Sequence, residues 1–249
     1  MATFVLIHGS WHGGWCFDAV KDLLEAEGHQ VIAPDLPGMG GNEQELAAVT
    51  LQGWANFAAG LCRTAPQHPV VLAGHSRGGL VVSQAAETAP EAIDALVYIC
   101  AMMLPDGMSR AEFKQLEAPN PAFDALIEPT EGGHGTVITG SNPEQVFAQL
   151  SPPDLVNAAM ARLVAEPHGP RSEPLRLTPA RFGSLPRTYI ECSHDRTIPL
   201  SSQRRMQELV PGARVETLEA DHSPFLSQPE ALARLLIAAI PQVAEQARA

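Results

Sequence analysis

Gly74-His75-Ser76-Arg77-Gly78 places a hydroxyl in a G-x-S-x-G pattern. The apolar run Val70-Val71-Leu72-Ala73 leads in, and Gly79 with Leu80-Val81-Val82 leads out, so Ser76 is predicted to sit on a strand-to-helix turn. Glycines two before and two after the serine suit a strained turn in which side chains would strike the neighbouring strand and helix. A serine hydroxyl is a poor nucleophile at neutral pH and needs a base oriented by a third group. In turns of this kind the chain order is serine, acid, histidine. Of nine histidines, only His222 lies in the last segment, directly after a predicted strand, in Ala220-Asp221-His222-Ser223-Pro224-Phe225. Asp195 follows the strand Thr188 to Cys192 and is the chosen acid; Asp106, after the strand beginning at Ala95, is its rival. Asp221 adjoins the base, but adjacent loop residues need not share a direction.

Acyl transfer through such a serine also needs donors for the oxyanion that forms. The helix starting after Ser76 directs N–H groups toward it, and the Arg77 amide is the first candidate. His8-Gly9-Ser10-Trp11-His12-Gly13-Gly14-Trp15, after the first strand, supplies the second candidate, the Ser10 amide. His8 and His12 are four apart but lack the following Glu of an H-E-x-x-H metal site, so they are read as holding the loop. Trp11, Gly9, Met102, Met103, Phe123 and Ser223 are the candidate substrate-pocket residues.

These residues must be positioned by strands that alternate with helices. Short apolar runs at Phe4 to Ile7, Gln30 to Ala33, Val70 to Ala73 and Ala95 to Cys100 read as buried parallel strands. Phe17, Val20, Leu23 and Leu24 give one helix an apolar face, and Gly28 stops it. Further helices are predicted over Leu51 to Arg63, from just after Ser76 to before Pro90, and over Leu200 to Val210; another strand covers Arg214 to Leu218. A final helix begins near Gln228, with Ser227 and Glu230 as a capping box and Leu232, Leu235, Leu236 and Ile240 as its buried stripe. Between Pro105 and Gly183 prolines and glycines break the alternation, and residues 105–183 are read as an inserted helical cap on a core of 1–104 and 184–249. The expected class is α/β, with a mostly parallel sheet of about six strands flanked by helices.

A length of 249 residues with 45% hydrophobic content suits one domain with one core. The net charge of -12 disfavours nucleic acid and anionic lipid as partners. No basic leader or spanning apolar run is present, which predicts a cytoplasmic protein without membrane attachment. Cys16, Cys62, Cys100 and Cys192 are widely spaced and read as buried free thiols. No cofactor or metal is implied.

The segments Phe4-Val5-Leu6-Ile7-His8-Gly9-Ser10-Trp11-His12-Gly13-Gly14-Trp15-Cys16, the Ser76 turn and Asp221-His222-Ser223-Pro224-Phe225-Leu226 resemble the α/β-hydrolase branch of plant methylesterases, hydroxynitrile lyases and bacterial carboxylesterases. The resemblance implies the α/β-hydrolase fold, ester hydrolysis and a homodimer. The lyases carry Thr where this chain has Gly9, and Lys where it has Ser223, so the resemblance favours hydrolysis. Arg77 departs from the apolar residue that relatives carry after the nucleophile and could alter selectivity. Dehalogenases and epoxide hydrolases of the same fold use Asp where this chain has Ser76. A proline iminopeptidase would need acidic cap residues; Glu112, Glu117, Glu128 and Glu131 are read instead as solvated. The expected activity is serine carboxylesterase action on a small, largely apolar, uncharged ester. Amide or carbamate cleavage, lyase chemistry and a non-catalytic small-molecule receptor are the alternatives.

Overall fold

The computed structural model describes residues 1–241, so the end of the expected core stretch 184–249 lies outside the described residues at 242–249. In chain order the strands are β1 (Thr3–Ile7), β2 (Gln30–Ile32), β3 (Val70–His75), β4 (Ala95–Ile99), β5 (Ile127–Pro129), β6 (Gly135–Ile138), β7 (Glu166–Pro167), β8 (Arg187–Cys192) and β9 (Arg214–Leu218). Six of them form a wholly parallel sheet in the order β2-β1-β3-β4-β8-β9. Successive side chains along each strand alternate between two buried faces. Val5, Ile7, Leu72, Leu96 and Tyr98 pack with the helices Leu51–Arg63 and Gly78–Thr88. Phe4, Leu6, Val71, Val97 and Ile99 pack with Asp18–Ala26 and Pro229–Ala238 on the other side. This two-sided burial is why the strands read as continuous apolar runs. From β1 the chain moves outward to β2 and then crosses back to β3, which makes the β1/β3 boundary a topological switch point.

One local expectation holds and one changes. Gly28 does end its helix, at a φ of +83°. The capping box expected at Ser227 does not form: Gln228 is the N-cap, and the Ser227 hydroxyl donates to Asp221 Oδ1 at 2.9 Å. A carboxylate distant in neither sequence nor space outcompetes the helix end for that hydroxyl.

Between β4 and β8 the chain is not helical throughout. β5, β6 and β7 form an antiparallel sheet, and the helices are short: Arg110–Lys114, Pro121–Asp124, Glu144–Phe147, Pro153–Met160 and Gly169–Ser172. Prolines restart or stop the helices within a turn or two, and Glu131-Gly132-Gly133-His134 is the loop of the β5/β6 hairpin, with Gly133 at a φ of +73°. Trp11, Leu126, Val146, Phe147 and Val156 build a separate apolar cluster that fastens this segment to the loop after β1. Burying each such side chain contributes about 1.5–3 kcal/mol. Phe113 joins the main core instead, and Leu116 and Leu150 are exposed. All four cysteines are free and buried. Among the described residues, no helix is long and apolar enough to cross a membrane.

Candidate active site

Ser76 follows β3 at the switch point with a φ of +53°, a left-handed conformation that costs a non-glycine residue on the order of 1 kcal/mol or more. The packing around it leaves no room for side chains on its flanking glycines. A Cβ at Gly78 would lie 2.5 Å from the Ile7 carbonyl oxygen, and one at Gly74 would lie 2.7 Å from the Gly78 carbonyl carbon. The turn is braced by the Ser76 N–H donating to the Ile99 carbonyl at 3.2 Å and by the Met102 N–H donating to the Ser76 carbonyl at 2.8 Å.

The structure brings Ser76, His222 and Asp195 together. His222 Nδ1 lies 2.7 Å from Asp195 Oδ2, and His222 Nε2 lies 3.0 Å from Ser76 Oγ. With the carboxylate accepting at Nδ1, the neutral ring carries its proton there and presents Nε2 to the hydroxyl as an acceptor. Asp195 is itself fixed: Oδ1 accepts from the Thr197 and Ile198 amides at 2.7 and 2.8 Å. Its loop is clamped by Gln203, which bonds the Cys192 N–H and carbonyl and the Ile198 carbonyl. The rival Asp106 is elsewhere, accepting from the Leu177 amide at 2.8 Å. Asp221 points away from the imidazole and ties its loop to the segment above, accepting from the Leu150 amide at 2.8 Å and the Ser151 hydroxyl at 3.1 Å.

Ser10 and Arg77 border the same cleft as Ser76, and among the described residues neither backbone N–H donates to another protein group. His8 and His12 brace the Ser10 loop. The Leu36 amide donates to His8 Nε2 at 3.0 Å, His8 Nδ1 meets the Gly9 carbonyl, and His12 Nδ1 meets the Ser10 carbonyl at 2.7 Å. Burial lowers both histidines to about 4, so both rings are neutral near pH 7.

His75 was not singled out by its sequence position, beyond its place in the motif. Its Nε2–H donates to the His222 carbonyl at 2.7 Å, and its ring packs 4.7 Å from that of His222 and edge-on to Phe225. Burial holds its pKa well below the usual value, which keeps the ring neutral. His75, Cys100 and His222 bring ligand-type atoms within 4.8 Å of one another. Both His222 nitrogens are already engaged by Asp195 and Ser76, so a metal there would have to displace one of these two partners.

Of the expected pocket residues, Trp11, Met102 and Phe123 line the cleft. Met103 is in the main core, Ser223 is wholly buried, and Gly9 packs beneath Ser76, where an added Cβ would lie 2.7 Å from the serine Cβ. Trp11 serves both readings: it borders the cleft, and its indole N–H donates to Thr136 Oγ1 at 3.2 Å. The lining is more charged than the expected largely apolar, uncharged ester substrate would require. Ile127 and Ile198 add to the apolar wall, but Arg77, Arg110, Glu166 and Arg171 also line the cleft. Three of these four belong to the segment between β4 and β8, and residues far apart in sequence leave no local pattern showing that they converge.

A parallel sheet carrying a strained serine turn at its switch point, with a histidine and a carboxylate on neighbouring loops, defines a hydrolase scaffold. The profile of the "Alpha/beta hydrolase family" matches residues 4–235. A pyrethroid hydrolase of Sphingobium wenxiniae is 34% identical over 95% of this chain and 86% of its own length. Putative methylesterase 11 of Arabidopsis thaliana is 33% identical over 94% of this chain, which spans 63% of that longer protein. A crystal structure of polyneuridine aldehyde esterase superposes with a TM-score of 0.84 at 28% identity, covering 96% of this chain and 98% of that one. The chain belongs to the alpha/beta hydrolase family and is a carboxylic ester hydrolase.

Proposed function

We propose that this enzyme cleaves a small carboxylic ester by a serine mechanism in which Ser76 is the nucleophile, His222 its base and Asp195 the group that orients the imidazole. The observation that carries the reading is the continuous contact from Asp195 through His222 to Ser76 Oγ, beside two unengaged amides. His222 takes the serine proton as Oγ attacks the carbonyl, and the Ser10 and Arg77 amides stabilise the oxyanion. His222 then protonates the leaving alcohol, and water repeats the sequence on the acyl-enzyme. Residues 105–183 act as the cap that closes over the cleft. Hydrolysis is favoured over cyanohydrin chemistry because the space at Gly9 admits no hydroxyl-bearing side chain without moving Ser76 or His75.

The test is labelling with a fluorophosphonate, followed by peptide mass spectrometry, alongside turnover of p-nitrophenyl butyrate. A single adduct on Ser76 with multiple turnovers is expected; no adduct and no turnover would leave a binding protein rather than an enzyme of this mechanism. Comparing the matching anilide and carbamate ranks the amide alternative on the same residues.

His75 acts as a positioning residue, holding the backbone of His222. His75→Phe keeps an aromatic ring in contact with Phe225 but removes the stronger donor to the His222 carbonyl, leaving the Cys100 thiol at 3.8 Å, and is expected to lower kcat by about 10- to 100-fold with KM nearly unchanged. His75→Gln, whose amide can reach the same carbonyl, should recover most of the loss. Equal losses in the two variants would assign His75 a packing role only.

A further inference from the structure

The charged wall of the cleft is built around three guanidinium groups and is incompletely neutralised. Arg77 is buried, pairs with Glu166 and lies with its guanidinium carbon 4.5 Å from the Trp54 ring centre. Arg110 Nη1 lies 2.8 Å from Glu117 Oε2. The Arg171 side chain, among the described residues, has neither an ion pair nor a hydrogen bond, although it borders the same cleft. Its charge is close enough to act on both neighbours: burial first, and then the positive charge of Arg171, depress the Arg77 guanidinium, and the same two influences act on Arg110. Three guanidiniums line the cleft and only two of them have a carboxylate partner, Glu166 and Glu117, which leaves the Arg171 charge without an ion pair among the described residues in a chain whose net charge is -12. Like charges gathered in a half-enclosed space repel each other, and the arrangement is relieved when an anion enters.

Glu166 decides where that anion can sit. One of its oxygens holds Arg77, while Oε2 is buried without a donor. An anion directed at Arg77 would meet this carboxylate, whereas one directed at Arg171 would not have to displace an existing partner. The apolar side of the cleft, formed by Trp11, Met102, Phe123 and Ile198, then lies along the hydrocarbon part of the substrate.

We infer that the cleft selects esters that also carry a carboxylate, remote from the scissile carbonyl and bound by Arg171: the half-esters of dicarboxylic acids. The inference rests on the ester-hydrolase reading above and names the substrate class of that site. Arg171 is a specificity residue, since the reacting atoms are those around Ser76.

Hydrolysis of monomethyl adipate and of methyl hexanoate, measured separately with the wild type, Arg171→Met and Arg171→Lys, tests it. The wild type is expected to prefer the half-ester in kcat/KM by about tenfold or more at low salt, with the preference shrinking as salt is raised. Arg171→Met should abolish the preference through KM for the half-ester, and Arg171→Lys should retain part of it. A wild type that prefers methyl hexanoate, or an Arg171→Met enzyme with an undiminished preference, would overturn the inference while leaving ester hydrolysis standing. Hydrolysis of neither ester, together with no fluorophosphonate adduct on Ser76, would remove the underlying reading as well.

Discussion

Ser76→Ala is expected to lower kcat for a neutral ester by about 10⁴-fold or more while the protein stays folded. The substitution removes only Oγ, whose sole protein contact of note is His222 Nε2 at 3.0 Å, and leaves the backbone braces to Ile99 and Met102 untouched. Alanine occupies the left-handed conformation of Ser76 at a cost similar to that of serine. Thermal unfolding should therefore barely move while turnover collapses, and the variant should still bind substrate. Asp195→Asn should lose activity on the order of 10⁴-fold for a different reason: its amide group would donate toward His222 Nδ1 and favour the tautomer with a proton on Nε2, facing the serine. Because the groups act as a unit, the double variant should be little worse than Ser76→Ala alone. Steady-state kinetics of the three variants checks both statements. A Ser76→Ala enzyme retaining a substantial fraction of wild-type kcat would assign the nucleophile elsewhere.

Stability should fall steeply with acid between pH 6.5 and about 4, before most carboxylates titrate. His8 and His12 are lowered by burial from 6.5 to about 4, and burial likewise holds His75 well below its usual value. Within this window the unfolded chain binds protons at these positions and the folded chain does not, so the free energy of unfolding rises with pH and is lost as pH falls. Each of His8 and His12 contributes about 3 kcal/mol to this loss across the window. The geometry explains the resistance to protonation: His8 Nε2 already accepts the Leu36 N–H, and a proton there would set two donors face to face. His12 Nε2 is buried without a partner among rings of Trp15, His75, Phe147 and Phe225. Urea unfolding measured from about pH 7.5 down to about pH 4.5 should show the slope, and His12→Phe should reduce it by about one proton. A flat profile over that range would mean the three rings are not held neutral.

The two predictions depend on different kinds of legibility. The strand-turn-helix around Ser76 was readable because its causes are local: an apolar run covered on both faces, then glycines where Ile7 and Gly78 backbone atoms approach too closely for a Cβ. His222 was readable from its place after the last strand, and Asp195 was chosen over Asp106 by the same reasoning, although both follow strands of one sheet. Only the tertiary structure separates them, since the Asp106 carboxylate turns to the Leu177 amide.

The segment between β4 and β8 was misread in part. Its strands are two to four residues long, too short to show a period, and their pairing joins positions such as Thr136 and Glu166. The Ser227 capping box failed because Asp221 offers that hydroxyl a nearer acceptor. The neutral state of His75 and its bond to His222, 147 positions away, follow from burial that no local window records.

By itself, then, the sequence determined the alternating parallel core and the strained serine turn, because each depends on neighbours within a few residues. The tertiary structure alone decided which carboxylate contacts His222, that the segment between β4 and β8 contains a sheet, and that three guanidiniums meet over a partly apolar cleft. Those outcomes depend on contacts between residues tens of positions apart, where Coulomb attraction and burial act through space and leave no periodic trace along the chain.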